Sequence, residues 1–411
     1  MGSIPPITLA NAQAQNVALA PRLSAYFNGV YVPTKEIQLT QTAYGISDTL
    51  ELYTWCYENS DWGQLAKDYT GTGRVPITLR AGYGTNAKNF NPKNSTQILY
   101  GFFDEAEDTY DTDETEIRGL GVLSALSDFR ITQKAYMNVD AGQAIKEIIS
   151  SRGLTPVVDT AGVTVGSLLK DDNAAMGRNI RAIEFINLLA RGLNWTVRVQ
   201  AQTVTVGFPP ERNVVPTLHK TWGVNAGMTL RVTHNPYSSK NIKVKVVSYL
   251  PKTKTRVRGS VNANDPYIQA LLAGATMKLP TPKTPAKAAK AASGRQSGFA
   301  AGALGESAAE EYVYNVPHIT SDQADALAAR IEAEIAMHEY IVQLEFTPTP
   351  EELTLIAQNS PNFLINLDGV KPSACGLYHM KHVRWIGSIE DGLTIQCLMA
   401  NHEIPTNTGG E

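Results

Sequence analysis

The chain has 411 residues, 43% apolar and 18% charged, which suits two to four soluble domains that each bury a core. The 36 Lys and Arg against 39 Asp and Glu give a formal charge of −3, removing the electrostatic case for wrapping nucleic acid but not for a surface past which DNA slides. Three scattered cysteines make no disulfide framework, the start Met1 to Pro6 lacks a basic segment leading into an apolar one, and no run of about 18 apolar residues offers a membrane helix. A protein made in the cytoplasm, without a signal peptide or membrane span, is expected.

Residues 22–103 read as short strands broken by turns. Ile37–Gln41 and Leu50–Trp55 alternate with period two. Val75–Arg80 does so with Pro76 marking an edge or strand start, and Gln97–Phe103 adds another run. Gly and Asn joints at 70–73 and 83–86 separate them, and this spacing favours a barrel or sandwich. From Asp104 to Glu116 the chain then holds eight carboxylates.

The period next becomes helical. Ala141, Ala144, Ile145, Ile148 and Ile149 share one helix face, Asp140 with Gln143 forms a capping box, and Gly153 stands where a left-handed cap ends the helix. A second helix is predicted from Asn179 to Arg191, followed by strands at Trp195–Val199 and Thr203–Val206. Strands return at Met228–Thr233 and Ile242–Val246, with a polar hairpin over Tyr249–Arg258. Residues 278–310, rich in Ala, Lys, Gly and Pro, bury little surface alone and read as an excursion that a partner would have to cover. Thr320 and Gln323 cap a further helix through Ala324, Leu327, Ala328, Ile331 and Ile335, and strands run from Tyr340 to Leu398.

These pieces define an α+β, mainly β chain. An N-terminal β-domain (1–127) and a second β-domain in two parts (213–262 and 313–403), both antiparallel and barrel-like, flank a small α/β domain (128–212). An Ala/Lys/Pro-rich insertion (263–312) and a short tail (404–411) complete the plan. The two β-domains do not align as a sequence repeat.

The stretches Tyr26–Tyr31, Ile37–Thr42, Ile46–Leu52, Leu99–Asp104, Asp128–Thr132, Asn138–Ile148 with Arg152–Pro156, Ile242–Arg258, Asn315–Ile335 and Tyr378–Val383 stand out. They resemble phage tail hub proteins of the late-control, baseplate-hub family, whose core is shared with type VI secretion spikes. Their colinear order from about residue 25 to 402 carries the likeness. The resemblance implies a virion tail protein that needs no cofactor. It implies a homotrimer in which each chain supplies two similar tube domains, so that three chains form a pseudo-sixfold ring. Such a ring would join a sixfold tail tube or distal tail protein to a threefold central spike, with wedge or sheath-associated proteins outside and DNA passing through. The insertion departs from the family, and no contact is carried over for it.

Chemical motifs are sparse. Asp111 and Asp113 have the spacing of calcium-loop ligands, but no Gly follows in register. Asp104, Glu105, Glu107, Asp108, Asp111 and Asp113 therefore read as a solvated loop, or as contacts to a basic partner or the channel. Cys375, His379, His382, Cys397 and His402 invite a zinc reading. On a strand, however, His379 and His382 point to opposite faces, and the paired spacing of structural zinc is missing. Lys283, Lys287 and Lys290, with Lys278 and Arg295, offer an anionic-partner contact or a solvated linker. No nucleophile elbow, metalloprotease helix or phosphate loop occurs, so no catalytic, cofactor or metal residue is assigned. The competing readings are a peptidoglycan-binding or peptidoglycan-cleaving tail protein, and a secretion-spike component. The end at Glu411, soon after the last strand, argues against a fused spike.

Overall fold

The computed structural model describes residues 20–401 apart from 43–44, 57–61, 72, 85–94, 132–138, 160–179, 194, 208–214, 225–226, 236–241, 251–254, 262–309, 316–323, 326, 329–330, 333–334, 336 and 390. The first part holds β1 Ala20–Phe27, β2 Val30–Val32, β3 Glu36–Thr42, β4 Thr49–Trp55, α1 Trp62–Asp68, β5 Pro76–Gly84, β6 Ser95–Thr109 and β7 Glu114–Gly121. The middle part holds α2 Leu123–Ser127, β8 Arg130–Ile131, α3 Ala141–Ser150, β9 Thr155–Val158, β10 Ile180–Arg181, α4 Ala182–Leu193, β11 Thr196–Gln200 and β12 Thr203–Gly207. The last part begins with β13 Thr217–Thr221, β14 Thr229–His234, β15 Ile242–Leu250, β16 Thr255–Val261 and β17 Glu310–Asn315. It ends with β18 Tyr340–Phe346, α5 Pro350–Asn359, β19 Leu364–Asp368, β20 Gly376–Ser388 and β21 Gly392–Asn401.

Period-two alternation builds the main sheet. Ile37, Leu39, Leu50 and Leu52 are buried on one face of β3 and β4, while Glu36, Gln38, Glu51 and Tyr53 stay on the other. The first and last parts share this sheet, in the order β14-β18-β21-β20-β3-β4-β7-β6-β5-β1-β2, with β19 beside β20 and β13 beside β19. The two barrel-like domains are therefore fused through the β20–β3 pair, and among the described residues neither closes into a barrel of its own. One core serves both halves, from Phe27, Leu39 and Ile77 to Trp385, Ile395 and Met399.

The two halves repeat one topology. In chain order, β3, β4, β5, β6 and β7 lie in the sheet as first, second, fifth, fourth, third, and so do β14, β18, β19, β20 and β21. Each half has a helix, α1 or α5, between its second and third strands. Each fourth strand carries a bulge, between Phe103 and Glu105 in β6 and between Met380 and His382 in β20. With the bulges matched, the partners fall into step. Pro76 pairs Phe102 as Leu364 pairs His379, and Leu52 pairs Ile117 as Leu344 pairs Cys397.

The middle part forms a separate core, in which Ile145, Ile148, Phe185 and Ile186 pack with Val204 and Val206 of the sheet β11-β12-β9. Helix α3 follows the expected pattern. Its five apolar positions are buried and Gly153 has φ +71°; of the expected capping box the Asp140 half is present, its carboxylate accepting from the Gly142 and Gln143 backbone N–H groups. Helix α4 starts later than expected, at Ala182, because Ile180 and Arg181 pair with β8. The described residues between 324 and 335 are helical, with Ala324, Leu327 and Ala328 buried, while Thr320 and Gln323 lie outside the described residues.

The unbroken run of strands expected from Tyr340 to Leu398 is interrupted by α5. Thr349 accepts from the Glu352 N–H, the Glu352 carboxylate accepts from the Thr349 N–H, and Pro350 occupies the first turn.

Candidate functional site

The acidic stretch 104–116 is a β-hairpin, not the solvated loop expected. β6 and β7 stay paired to Thr109 and Glu114, with Tyr110–Asp113 as the turn and Asp113 at φ +51°. Cross-strand charge pairing stabilises it. Arg118 lies opposite Glu105 and reaches Glu105 and Glu116 at 2.6 Å each, with Glu107 at 4.0 Å. The hydrogen bonds that Arg118 donates to Glu116, then to Glu105, raise its guanidinium pKa above its ordinary value. Asp108 accepts from Thr115 at 2.6 Å, and Asp104 pairs with Arg74 at 3.3 Å. Lys35 donates to the Asp113 carbonyl at 3.0 Å, and Asp111 is exposed in the turn. These carboxylates line a ribbon and do not converge on a point. Among the described residues no three His, Cys, Asp or Glu are grouped to hold a metal.

The hairpin belongs to a larger outward face. Register places Glu36, Glu51, Glu107, Glu116 and Glu345 on it with Arg118, Arg231 and Arg384, on every strand from β14 to β6 except β21, which contributes the uncharged Gln396 opposite Glu345. The opposite face is the apolar core. No separate sequence signal marks the polar face; it is the other phase of the alternation that marks the core.

His379 and His382 lie on the same face, contrary to expectation. The bulge after Met380 inserts a residue, so they stand opposite Ala400 and Leu398, two positions apart on β21. Cys375, the third member of that cluster, donates its thiol to the Val370 carbonyl at 3.5 Å. Burial, then Lys381, lowers the His382 pKa. Lys283, Lys287 and Lys290 lie outside the described residues.

A buried polar knot, not anticipated from the sequence, sits at the seam between the halves. Gln41 of β3 accepts from the Trp385 indole N–H of β20 at 2.9 Å and from the Ser360 hydroxyl after α5 at 2.8 Å. Its amide donates to the Ile98 carbonyl at 3.2 Å and to Asp48 at 3.5 Å. Burial pushes the Asp48 carboxyl up to about 7, against hydrogen bonds from Gln41 and Thr42 that lower it. A second buried contact, Lys220 to Glu352 at 2.7 Å, ties β13 to α5, with the Lys220 ammonium 3.9 Å from the Phe346 ring centroid.

No protein-family model matches the sequence, and no curated protein matches it. Solved structures do share the fold. The tail protein from Neisseria meningitidis MC58 superposes at TM-score 0.57 with 9% identity, over 94% of this chain and 98% of that one. The 43 kDa tail protein of prophage MuSo2 from Shewanella oneidensis gives TM-score 0.56 and 10% identity, over 93% and 99%. The E. coli c3393 protein, a component of the type VI secretion system, gives TM-score 0.49 and 9% identity, over 92% and 77%. The architecture is that of phage tail proteins, the class to which the sequence stretches pointed.

Proposed function

We propose that this chain is a structural tail hub: a homotrimer that joins a sixfold tube to a threefold spike and lets DNA pass. The observation that carries the reading is the repeated topology, two like modules fused edge to edge in one sheet. Three such chains present six modules in a ring. The insertions break the sixfold symmetry, because one module is followed by the middle α/β part and the other is interrupted between β14 and β18. A ring sixfold in its strands and threefold in its insertions suits a tube on one side and a spike on the other. Wedge or sheath-associated proteins would lie outside. In this reading the outward polar face lines the channel. Its carboxylates repel phosphates, so DNA slides without the counterion release that would hold it to a basic wall.

The role is mechanical and not catalytic. Light scattering should give a mass near three times the 44.6 kDa chain, and negative stain should show rings with an open centre. A monomer at every concentration that also clears cell-wall suspensions would overturn the reading in favour of a wall-active enzyme.

A further inference from the structure

The fused sheet joins its halves at one seam, and among the described residues the same two kinds of edge are left open elsewhere in it. At the seam the far half of a fourth strand, β20, pairs with a first strand, β3, from His382 opposite Thr42 to Ser388 opposite Glu36. The equivalent fourth strand in the other half is β6. Beyond Phe103 it pairs with β7 on one side and, among the described residues, with nothing on the other. The equivalent first strand is β14, which pairs with β18 and, among the described residues, with nothing beyond it.

We infer that the outer edge of β6 over Glu105–Thr109 pairs, antiparallel, with the outer edge of β14 over Arg231–His234 of a second copy of this chain. This deepens and rests on the ring reading above. The seam also fixes the register. With the bulges matched, Arg384 corresponds to Glu107, and Thr40, opposite Thr49 of β4, corresponds to Thr233, opposite Ile341 of β18. Arg384 pairs with Thr40 inside the chain, so Glu107 pairs with Thr233 between chains. Ala106 then meets His234, and Thr109 meets Arg231.

Charge agrees with the edges. The β6 edge carries exposed Glu105 and Glu107, while the β14 edge carries exposed Arg231, which this register sets diagonally from Glu107 on the outward face. A strand edge left open is a template for joining chains, and closing a ring removes it. Each copy has one edge of each kind, so the contact is head-to-tail and closes if the curvature of the seam is repeated.

The test is a directed disulfide in the full chain with Cys56→Ser and Cys375→Ser, which leaves only buried Cys397. Residues directly opposite in an antiparallel pair lie about 4.5–5.5 Å apart at Cα, within disulfide reach. Glu107→Cys with Thr233→Cys should cross-link on mild oxidation, as a ladder ending at trimer on a non-reducing gel. Glu107→Cys with Thr229→Cys is the control, since Thr229 lies about 13 Å further along the strand and out of reach. In-register cross-linking at least tenfold above the control supports the pairing. A trimer by light scattering in which neither pair cross-links overturns the edge assignment and leaves the ring reading standing. In-register cross-links that run on past trimer support the edges and overturn the three-chain ring. A chain that stays monomeric and uncross-linked at the highest soluble concentration overturns both.

Discussion

Asp48 should make the stability of this chain fall as pH rises toward neutrality. The residue is 7% exposed, its carboxyl is held in the seam by Gln41 and the Thr42 N–H, and burial lifts its pKa from 3.8 to about 7. Between those values the folded chain keeps the proton and the unfolded chain loses it. The contribution is therefore fully present below about pH 4, is lost as pH rises through about 7, and is flat above. At about 1.4 kcal/mol for each pH unit between the two values, the full swing is about 4 kcal/mol. Urea unfolding of the wild type and of Asp48→Asn, at intervals from pH 4 to pH 8, isolates it. Other ionising groups cancel in the difference. The extra amide donor of Asn adds an offset that is the same at every pH. The wild type should lose about 4 kcal/mol relative to the variant across that range. A difference that stays flat, or that grows in favour of the wild type at high pH, would refute the reasoning, the latter by showing an ionised and paired carboxylate.

Three further outcomes are expected. Glu352→Gln strands the buried Lys220 ammonium and should cost about 3–5 kcal/mol in urea unfolding, whereas Lys220→Met with Glu352→Leu should recover most of that loss. Trp385→Ala empties a fully buried site and leaves Gln41 short of a donor, for a loss of about 3–5 kcal/mol by the same measurement. Gly101→Ala sets a Cβ 2.4 Å from the Leu120 carbonyl oxygen, where β6 is held by strands on both edges. It should abolish soluble folded protein, while Gly153→Ala, with open space but φ +71°, should cost only about 1–2 kcal/mol in thermal unfolding.

Much of the fold was legible where alternation or helical period was strong. β3, β4, α3, β12 and β18 lie where the pattern puts them, because each has one face against a core. Charge hid the β6–β7 hairpin, since the carboxylates that suggest a loop are here satisfied across strands by Arg118. A capping signature marks α5, Thr349-Pro350-Glu351-Glu352, but it is embedded between apolar runs that read as strand. The internal repeat was illegible for a physical reason. Equivalent positions have different neighbours, so the buried Trp385 of the seam corresponds to Asp108 on a free edge, and Leu398 corresponds to Arg118. Topology and register are alike where many side chains are not, although Leu52 still matches Leu344 and Thr40 matches Thr233. The Gln41 knot could not be seen at all, because its members stand 319 and 344 positions apart.

The fused seam also bears on how such a ring would assemble. In a six-copy ring every seam is a meeting of separate molecules, and each one costs translational and rotational freedom. Here β20 and β3 are tethered, so in a three-chain ring three of six seams would form as the chains fold, at an effective concentration set by the tether and not by supply. The remaining three could then be individually weak and still close. A hub of this kind would nucleate at a chain concentration too low for its single-module counterpart, and would do so with a fixed number of subunits.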